Sequence, residues 1–415
     1  METRLFRGGT FPLFSLLRAT LTAAVLFSVS SAFSASEAEK AQARKKVAKA
    51  AAAIIKLRGP RTLSVPNERH TAFINNIDRR RELGDQSPAD ITAPGQIGHE
   101  DSHPCQAVFK WTTPADAVRG VFVVCGGRNI FRFDITGKDS ITIDNLKTGV
   151  LYNCSAEFTL KSGKKLWQVV QLTTADKLPR WIRLPGASNV RDVGGWKTAD
   201  GKYRVRQGLL YRGGEFDRRR HLTPEGRQIF LNILRIRTDL DLRAFEPGDP
   251  EYLFEKEGVR QVILPYPSIK LGTPAGRRVI ADLFHELAKI ETFPAYIHCA
   301  GGADRTGSAV FLLLGVLSLE DEEMFTEFEL TSFSVYGKRS RKGWVFKYTL
   351  NELEKYGAKE DPLRRKAELF LLDCGVSQAD IAAIRNIFLE KIQPDALGTE
   401  KKRISRKSEL TAISI

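Results

Sequence analysis

The chain has 415 residues, 42% of them hydrophobic and 27% charged, with a formal net charge of +15. That length leaves room for two or three domains and a sizeable core, and the composition is that of a globular protein rather than a disordered one. The positive balance favours an anionic partner. Part of it lies in flanks, Lys40 to Lys56 and Lys401, Lys402, Arg403, Arg406 and Lys407, which read as solvated ends. No nucleic-acid-binding module is spelled out, so no nucleic-acid partner is expected.

Arg4, Arg7 and Arg18 precede an apolar run from Ala19 to Val29, followed by the small-residue segment Ser30 to Ser36. This is the grammar of a secretory signal peptide over residues 1–35, with cleavage near Ser34 or Ala35, in a run too short for a comfortable membrane span. The expectation is an exported protein, periplasmic or secreted. Residues 36–92 read as a basic and polar linker, with a short basic helix over Lys45 to Lys56 able to touch an anionic membrane surface.

From residue 93 to 176 apolar residues alternate: Ala107, Phe109 and Trp111; Phe131 and Phe133; Ile141 and Ile143; Tyr152, Cys154, Ala156 and Phe158. Turn signals separate these runs, so short antiparallel strands and a small β-sandwich are predicted. With export, two of Cys105, Cys125 and Cys154 are expected to pair, in an order the spacing leaves open.

Over residues 180–393 strands alternate with helices. Strands are predicted at Leu209 to Tyr211, Ile236 to Arg243, Val259 to Pro267 and Phe293 to Cys299. Helices are predicted from Thr223, over Leu283 to Ile290, and from Arg305. Such alternation implies a mostly parallel sheet flanked by helices, with ligands beyond the carboxyl ends of its strands. Residues 394–415 read as a basic disordered tail.

Cys299 stands at such a strand end, in "IHCAGGADRTGSAVF". A short loop between a strand and a helix N-terminus lets backbone N–H groups converge on one point and adds the helix dipole. The loop runs Ala300, Gly301, Gly302, Ala303, Asp304, Arg305 and Thr306. A thiol in that field is ionised near neutrality, with a pKa of about 4–7. Arg305 returns six residues later with a planar fork for two phosphoryl oxygens, and Thr306 is placed to donate to the sulfur. His298 is read as a partner of the loop backbone or the thiolate and not as the acid. A Cys and an Arg six apart occur by chance; the whole of "HCxxGxxRTG" at a strand end does not.

These residues resemble the cysteine-based protein tyrosine phosphatases, in their bacterial branch. That branch carries "NxRDxGG", here Asn189 to Gly195, followed by "LLYRGGEF", "LTPEG", "RTDLDLR" and the C-terminal "GVSQADIAAIRNIFLE". The resemblance spans Leu184 to Ile392. It implies the α/β cysteine-phosphatase fold, Cys299 as nucleophile through a cysteinyl-phosphate intermediate, Arg305 as phosphate clamp, and no metal or other cofactor. It also implies Arg191 and Asp192 bracing the loop from below, with Arg243 at the pocket. Asp304 is the first choice of general acid, with Asp241 as the alternative and helix capping as the other reading of Asp304. Many relatives have Lys-Asp where this chain has Ala303-Asp304, which weakens an inositol-phosphate or phosphoinositide reading relative to a phosphotyrosine or dual-specificity one. A non-catalytic phosphate-binding or adhesion role is the third reading. The preceding sandwich resembles a fibronectin type III module, on Trp111 and "NLKTGVLYNCSAEF". The basic-aromatic stretch "VYGKRSRKGWVFKY", Val335 to Tyr348, is expected to wall or cover the active site.

Overall fold

The structure is a computed structural model, and it describes residues 55–76, 98–127, 129–244, 252–266 and 270–392. The leader, most of the predicted linker including nearly all of its basic helix, and the basic tail lie outside the described residues.

The first layer is all β. Strands β1 (Thr62–Leu63), β2 (Ala107–Lys110), β3 (Ala117–Gly126), β4 (Asn129–Asp134), β5 (Ser140–Ile143), β6 (Leu151–Leu160) and β7 (Lys165–Thr174) form two sheets. One has the order β1-β7-β6-β3-β4 and the other is the pair β2-β5. Alternating side chains drive this arrangement: Tyr152, Cys154, Ala156 and Phe158 of β6 face inward, where they meet Phe109, Trp111 and Phe122. The Tyr152 hydroxyl accepts the Lys147 amide at 2.9 Å, closing the turn before β6.

Two expectations are corrected here. Cys125 pairs in register with Asn153 and Cys154 with Val124, so the two thiols sit on opposite faces, one exposed and one buried, and cannot bond. Cys105 is also a free thiol. Nor is residue 55–76 a linker. Ile55 and Leu57 are buried in the core of these strands, β1 adds in parallel to β7, and helix α1 (Glu68–Asn75) buries His70 and Phe73 in the second half of the chain, against Phe333. Its apolar residues needed cover, and a polar flanking sequence disguised them.

The second half contains β8 (Arg191–Asp192), β9 (Tyr203–Val205), β10 (Leu210–Gly213), β11 (Thr238–Asp241), β12 (Arg260–Ile263), β13 (Ala295–His298) and β14 (Leu389–Lys391). A five-stranded sheet has the order β12-β11-β13-β10-β8, parallel except for β8 at the edge. The helices are α2 (Pro224–Gln228), continued by a π turn over Ile229–Ile233, then α3 (Pro274–Leu287), α4 (Arg305–Val316), α5 (Asp321–Glu329), α6 (Trp344–Leu353), α7 (Leu363–Asp373) and α8 (Gln378–Phe388). Both faces of the sheet are covered. Ala295 and Ile297 of β13 join the core with α3, α4, α7 and α8, whereas Tyr296 joins a second core with Phe216, Phe230 and Phe254. The sheet's central strand therefore ends, at Cys299, between two packed cores. No helix among the described residues is long and apolar enough to cross a membrane.

Candidate active site

Residues 299–304 link the end of β13 to the first turn of α4. Gly302 has φ +61°, and a Cβ there would stand 2.0 Å from the Gly213 carbonyl oxygen of β10. Any side chain would push the loop off its neighbouring strand, so the glycine is required twice over. Cys299 is 4% exposed. Burial by itself would push its thiol up, but the Arg305 charge and the hydroxyl and amide of Thr306 outweigh that and bring it below its ordinary value, against some opposition from Asp304. The Thr306 hydroxyl is buried and makes no hydrogen bond to another described oxygen or nitrogen, which leaves it for the sulfur.

The loop is held from behind through its carbonyls. Asn189 Nδ2 donates to the Gly301 carbonyl at 3.1 Å, and Arg212 donates to the Gly302 carbonyl and, at 3.5 Å, to that of Ala303. In a trans peptide the N–H of the next residue points opposite to the C=O, so anchoring these carbonyls turns the amides toward the pocket. Glu327 of α5 holds both supports: it takes Arg191 Nε at 2.7 Å and Arg212 Nη1 at 2.6 Å, all three side chains being buried. Arg191 also donates to the Asn189 side chain. It thus acts on the loop through Asn189 and Glu327.

Asp192 does not brace the loop. It binds Arg180 and accepts the amides of Gly194 at 2.8 Å and Gly208 at 2.6 Å, which fastens the turn after β8. Arg243 does not line the pocket either. Its buried fork is shared by Asp241, Asp217 and Glu215. Asp241, accepting Arg243 and facing His298, is held below the ordinary carboxylate range although burial opposes it, and it has no proton to give at neutral pH. Instead, the strand end containing it steers the clamp: Arg305 Nη1 donates to the Leu242 carbonyl at 3.1 Å.

Above the loop is an open cleft of about 830 Å³, with Cys299 and Arg305 at its floor and Arg219, Arg220, His221 and Arg339 among its lining. Tyr336 and Arg339 form one wall, and the Tyr336 hydroxyl donates to the Ala300 carbonyl at 3.3 Å. Arg339 grips Asp304 with two bonds, Nε–Oδ1 at 2.7 Å and Nη2–Oδ2 at 3.0 Å. Residues N-terminal to β2 reach this wall as well, with Gly98 N–H on the Val335 carbonyl and Asp101 N–H on that of Phe333, both 2.7 Å.

The sequence model of the tyrosine phosphatase family matches residues 182–390, half of the chain, with Cys299 and Arg305 inside the match. The chain belongs to that family. Among solved structures it is similar to the core catalytic domain of the PP-IP phosphatase SIW14 from S. cerevisiae in complex with citrate. There the identity is 14% and the TM-score 0.28, over 34% of this chain and 84% of that one. A second structure of the Siw14 catalytic core is 14% identical with a TM-score of 0.25, over 30% and 76% of the two chains. No curated protein matches.

The expected stretch Val335 to Tyr348 contributes two residues to the phosphatase pocket, Tyr336 and Arg339. Arg341 is turned away onto Glu322 and Glu329, Phe346 is core, and Trp344 is 70% exposed. Several members of the site went unsingled in the sequence. Arg212 stood inside "LLYRGGEF", and Arg219, Arg220 and His221 in the charge run "DRRRHL". Glu327 carries no local signal, because a lone Glu on a helix is ordinary until its burial is known.

Asp304 occupies the cap position of α4, its carbonyl accepting the Ser308 amide at 2.8 Å while its side chain makes no cap bond. With both carboxylate oxygens taken by Arg339, it is placed to anchor the wall rather than to protonate a leaving group. Asp304→Asn should therefore slow aryl phosphates with good and poor leaving groups to a similar extent, within about a factor of two. A loss that grows with leaving-group pKa would return the acid role to Asp304.

Proposed function

We propose that this phosphatase is exported and hydrolyses phosphomonoesters, on phosphotyrosine or dual-specificity protein substrates, through a cysteinyl-phosphate intermediate. The observation that carries the chemistry is the convergence of a buried, acidified thiol, the Arg305 guanidinium and the braced loop at one cleft floor. The Cys299 thiolate attacks phosphorus, an S–P bond forms as the ester P–O bond breaks, and the leaving oxygen takes a proton from water in the open cleft. Water then attacks the phosphocysteine, freeing inorganic phosphate and restoring the thiol. Loop amides, helix dipole and Arg305 offset the charge that grows on the equatorial oxygens. Phosphate release from p-nitrophenyl phosphate, with Cys299→Ser as control, tests this reading against mere phosphate binding.

The basic rim favours a second reading, an inositol phosphate or phosphoinositide as substrate. Arg219, Arg220 and His221 stand beside Arg339 at the cleft, so charge for additional phosphates is present even though Ala303 supplies none. Phosphotyrosine peptide, phosphoserine peptide and inositol hexakisphosphate assayed side by side separate the two. On either reading, replacing Arg219 and Arg220 with Ser should raise KM for an acidic substrate about 3- to 10-fold and flatten its salt dependence, with kcat changing far less. An unaltered KM and salt slope would make the run ordinary surface.

Export rests on the charged-then-apolar leader of residues 1–35, and sequencing the mature N-terminus tests it. The two-sheet core and the Tyr152 turn support a fibronectin type III-like module over residues 93–176, completed by the 55–63 segment, as a spacer or platform for a phosphatase domain of residues 180–393.

A further inference from the structure

Behind the nucleophile lies a buried charge pair that the catalytic scheme above does not use. His298 and Asp239 are both 0% exposed, with His298 Nε2 3.0 Å from Asp239 Oδ1. Asp239 is on β11 and His298 on β13, neighbouring strands at the centre of the sheet. We propose that Asp239 is a positioning residue for the nucleophile, anchoring the imidazole of His298 from behind so that its other edge orders the Cys299 peptide.

The argument is one of partners. Four carboxylates surround this end of the sheet: Asp217, Glu215, Asp239 and Asp241. Arg243 bonds to three of them, Asp217, Glu215 and Asp241. Asp239 is left with His298 as its cationic partner among the described residues, and neither of its oxygens receives a hydrogen bond of good geometry. The Tyr252 hydroxyl also faces it, and Asp241 Oδ1 lies 3.9 Å from His298 Nε2. An isolated carboxylate in such a place is strongly disfavoured, so the pair stands or falls together.

The other nitrogen, His298 Nδ1, is 3.3 Å from the Cys299 carbonyl oxygen. A neutral imidazole has one N–H and one lone pair, so it would set a lone pair against either the carbonyl or the carboxylate. Two states meet both partners: the imidazolium facing a carboxylate, and a neutral imidazole with Nδ1–H on the carbonyl and its lone pair toward a protonated Asp239, whose carboxyl burial pushes up. Burial works against the imidazolium, but Asp239 and Asp241 outweigh it and raise His298 to about 9, with Arg243 in partial opposition. The carbonyl it holds belongs to the peptide whose N–H is that of Ala300, the first amide of the phosphate loop.

The inference rests on Cys299 being the nucleophile, and the experiment reads that thiol without needing turnover. The rate of Cys299 alkylation by iodoacetamide is followed against pH in the full chain, alongside the pH profile of kcat/KM for p-nitrophenyl phosphate. Asp239→Asn is nearly isosteric and should move the alkylation midpoint up by about one pH unit, with the acid limb of kcat/KM moving with it. His298→Asn should do the same, and the double variant should add little to either single one, since both act through one pair. Asp239→Glu should restore part of the shift. A midpoint unchanged in folded Asp239→Asn would overturn the proposal, leaving Asp239 a core residue. Should that variant not fold, an unchanged midpoint in His298→Asn overturns it equally. Total loss of turnover with a normal alkylation profile would instead count against the catalytic scheme.

Discussion

Cys299→Ser is expected to reduce phosphatase activity to background, a loss of about a thousandfold or more, while phosphate or vanadate still binds. A serine hydroxyl in the same place cannot be ionised by the field that ionises a thiol, because its intrinsic acidity is several orders of magnitude weaker. Arg305 and the loop amides are untouched by the exchange, so anion affinity survives. Arg305→Ala should lose both functions, since the same guanidinium lowers the thiol and grips the phosphoryl group. In the wild type, kcat/KM should rise with pH as the thiol ionises, and that limb should lie below the ordinary cysteine value. Measuring kcat and vanadate inhibition for the two variants decides the matter. Residual turnover in Cys299→Ser above a trace would refute thiolate attack.

Glu327→Ala is expected to cost about 3–5 kcal/mol of stability, read from urea unfolding, together with most of the activity of the protein that remains folded. Glu327 is the carboxylate between two buried guanidiniums, and its removal leaves Arg191 and Arg212 as like charges side by side without a counter-ion. Arg212 also holds the Gly302 carbonyl, so the damage reaches the phosphate loop directly. The pH dependence has a definite sign. Burial would raise the Glu327 carboxyl, but Arg191 and Arg212 outweigh it and bring it below the usual value. Its contribution is therefore fully present above the unfolded carboxyl's pKa, about 4.3, and is lost as pH falls through the lower folded value. The Ala variant should show a flatter acid limb of stability than the wild type. A destabilisation under about 1 kcal/mol would mean that the two arginines find other partners or water.

Much of the site could be read from the chain because phosphate chemistry demands a contiguous stretch. A nucleophile, a run of loop amides and a returning Arg must sit within one strand–loop–helix turn, so Cys299, Arg305 and Thr306 are neighbours in sequence as well as in space. The alternating strands and helices of the second half, and the period-2 strands of the first, were legible for a related reason: local periodicity reports which face is buried. The same reasoning erred where a residue's role depends on what lies across from it. The resemblance gives Asp192 to the loop, Arg243 to the pocket and Asp241 as the alternative acid, and each serves a different partner. The stretch 55–76 read as linker because its few apolar residues carry no strong period.

By itself the sequence determined the order of the elements, the two halves and the candidates for nucleophile and clamp, since these follow from spacing along one chain. Only the tertiary structure decided what stands behind and around them. Glu327 meets Arg191 across 136 residues, Arg339 meets Asp304 across 35 and His298 meets Asp239 across neighbouring strands. Such pairs form because a buried charge must find its opposite, and nothing local in the chain says which of many charged residues will be buried.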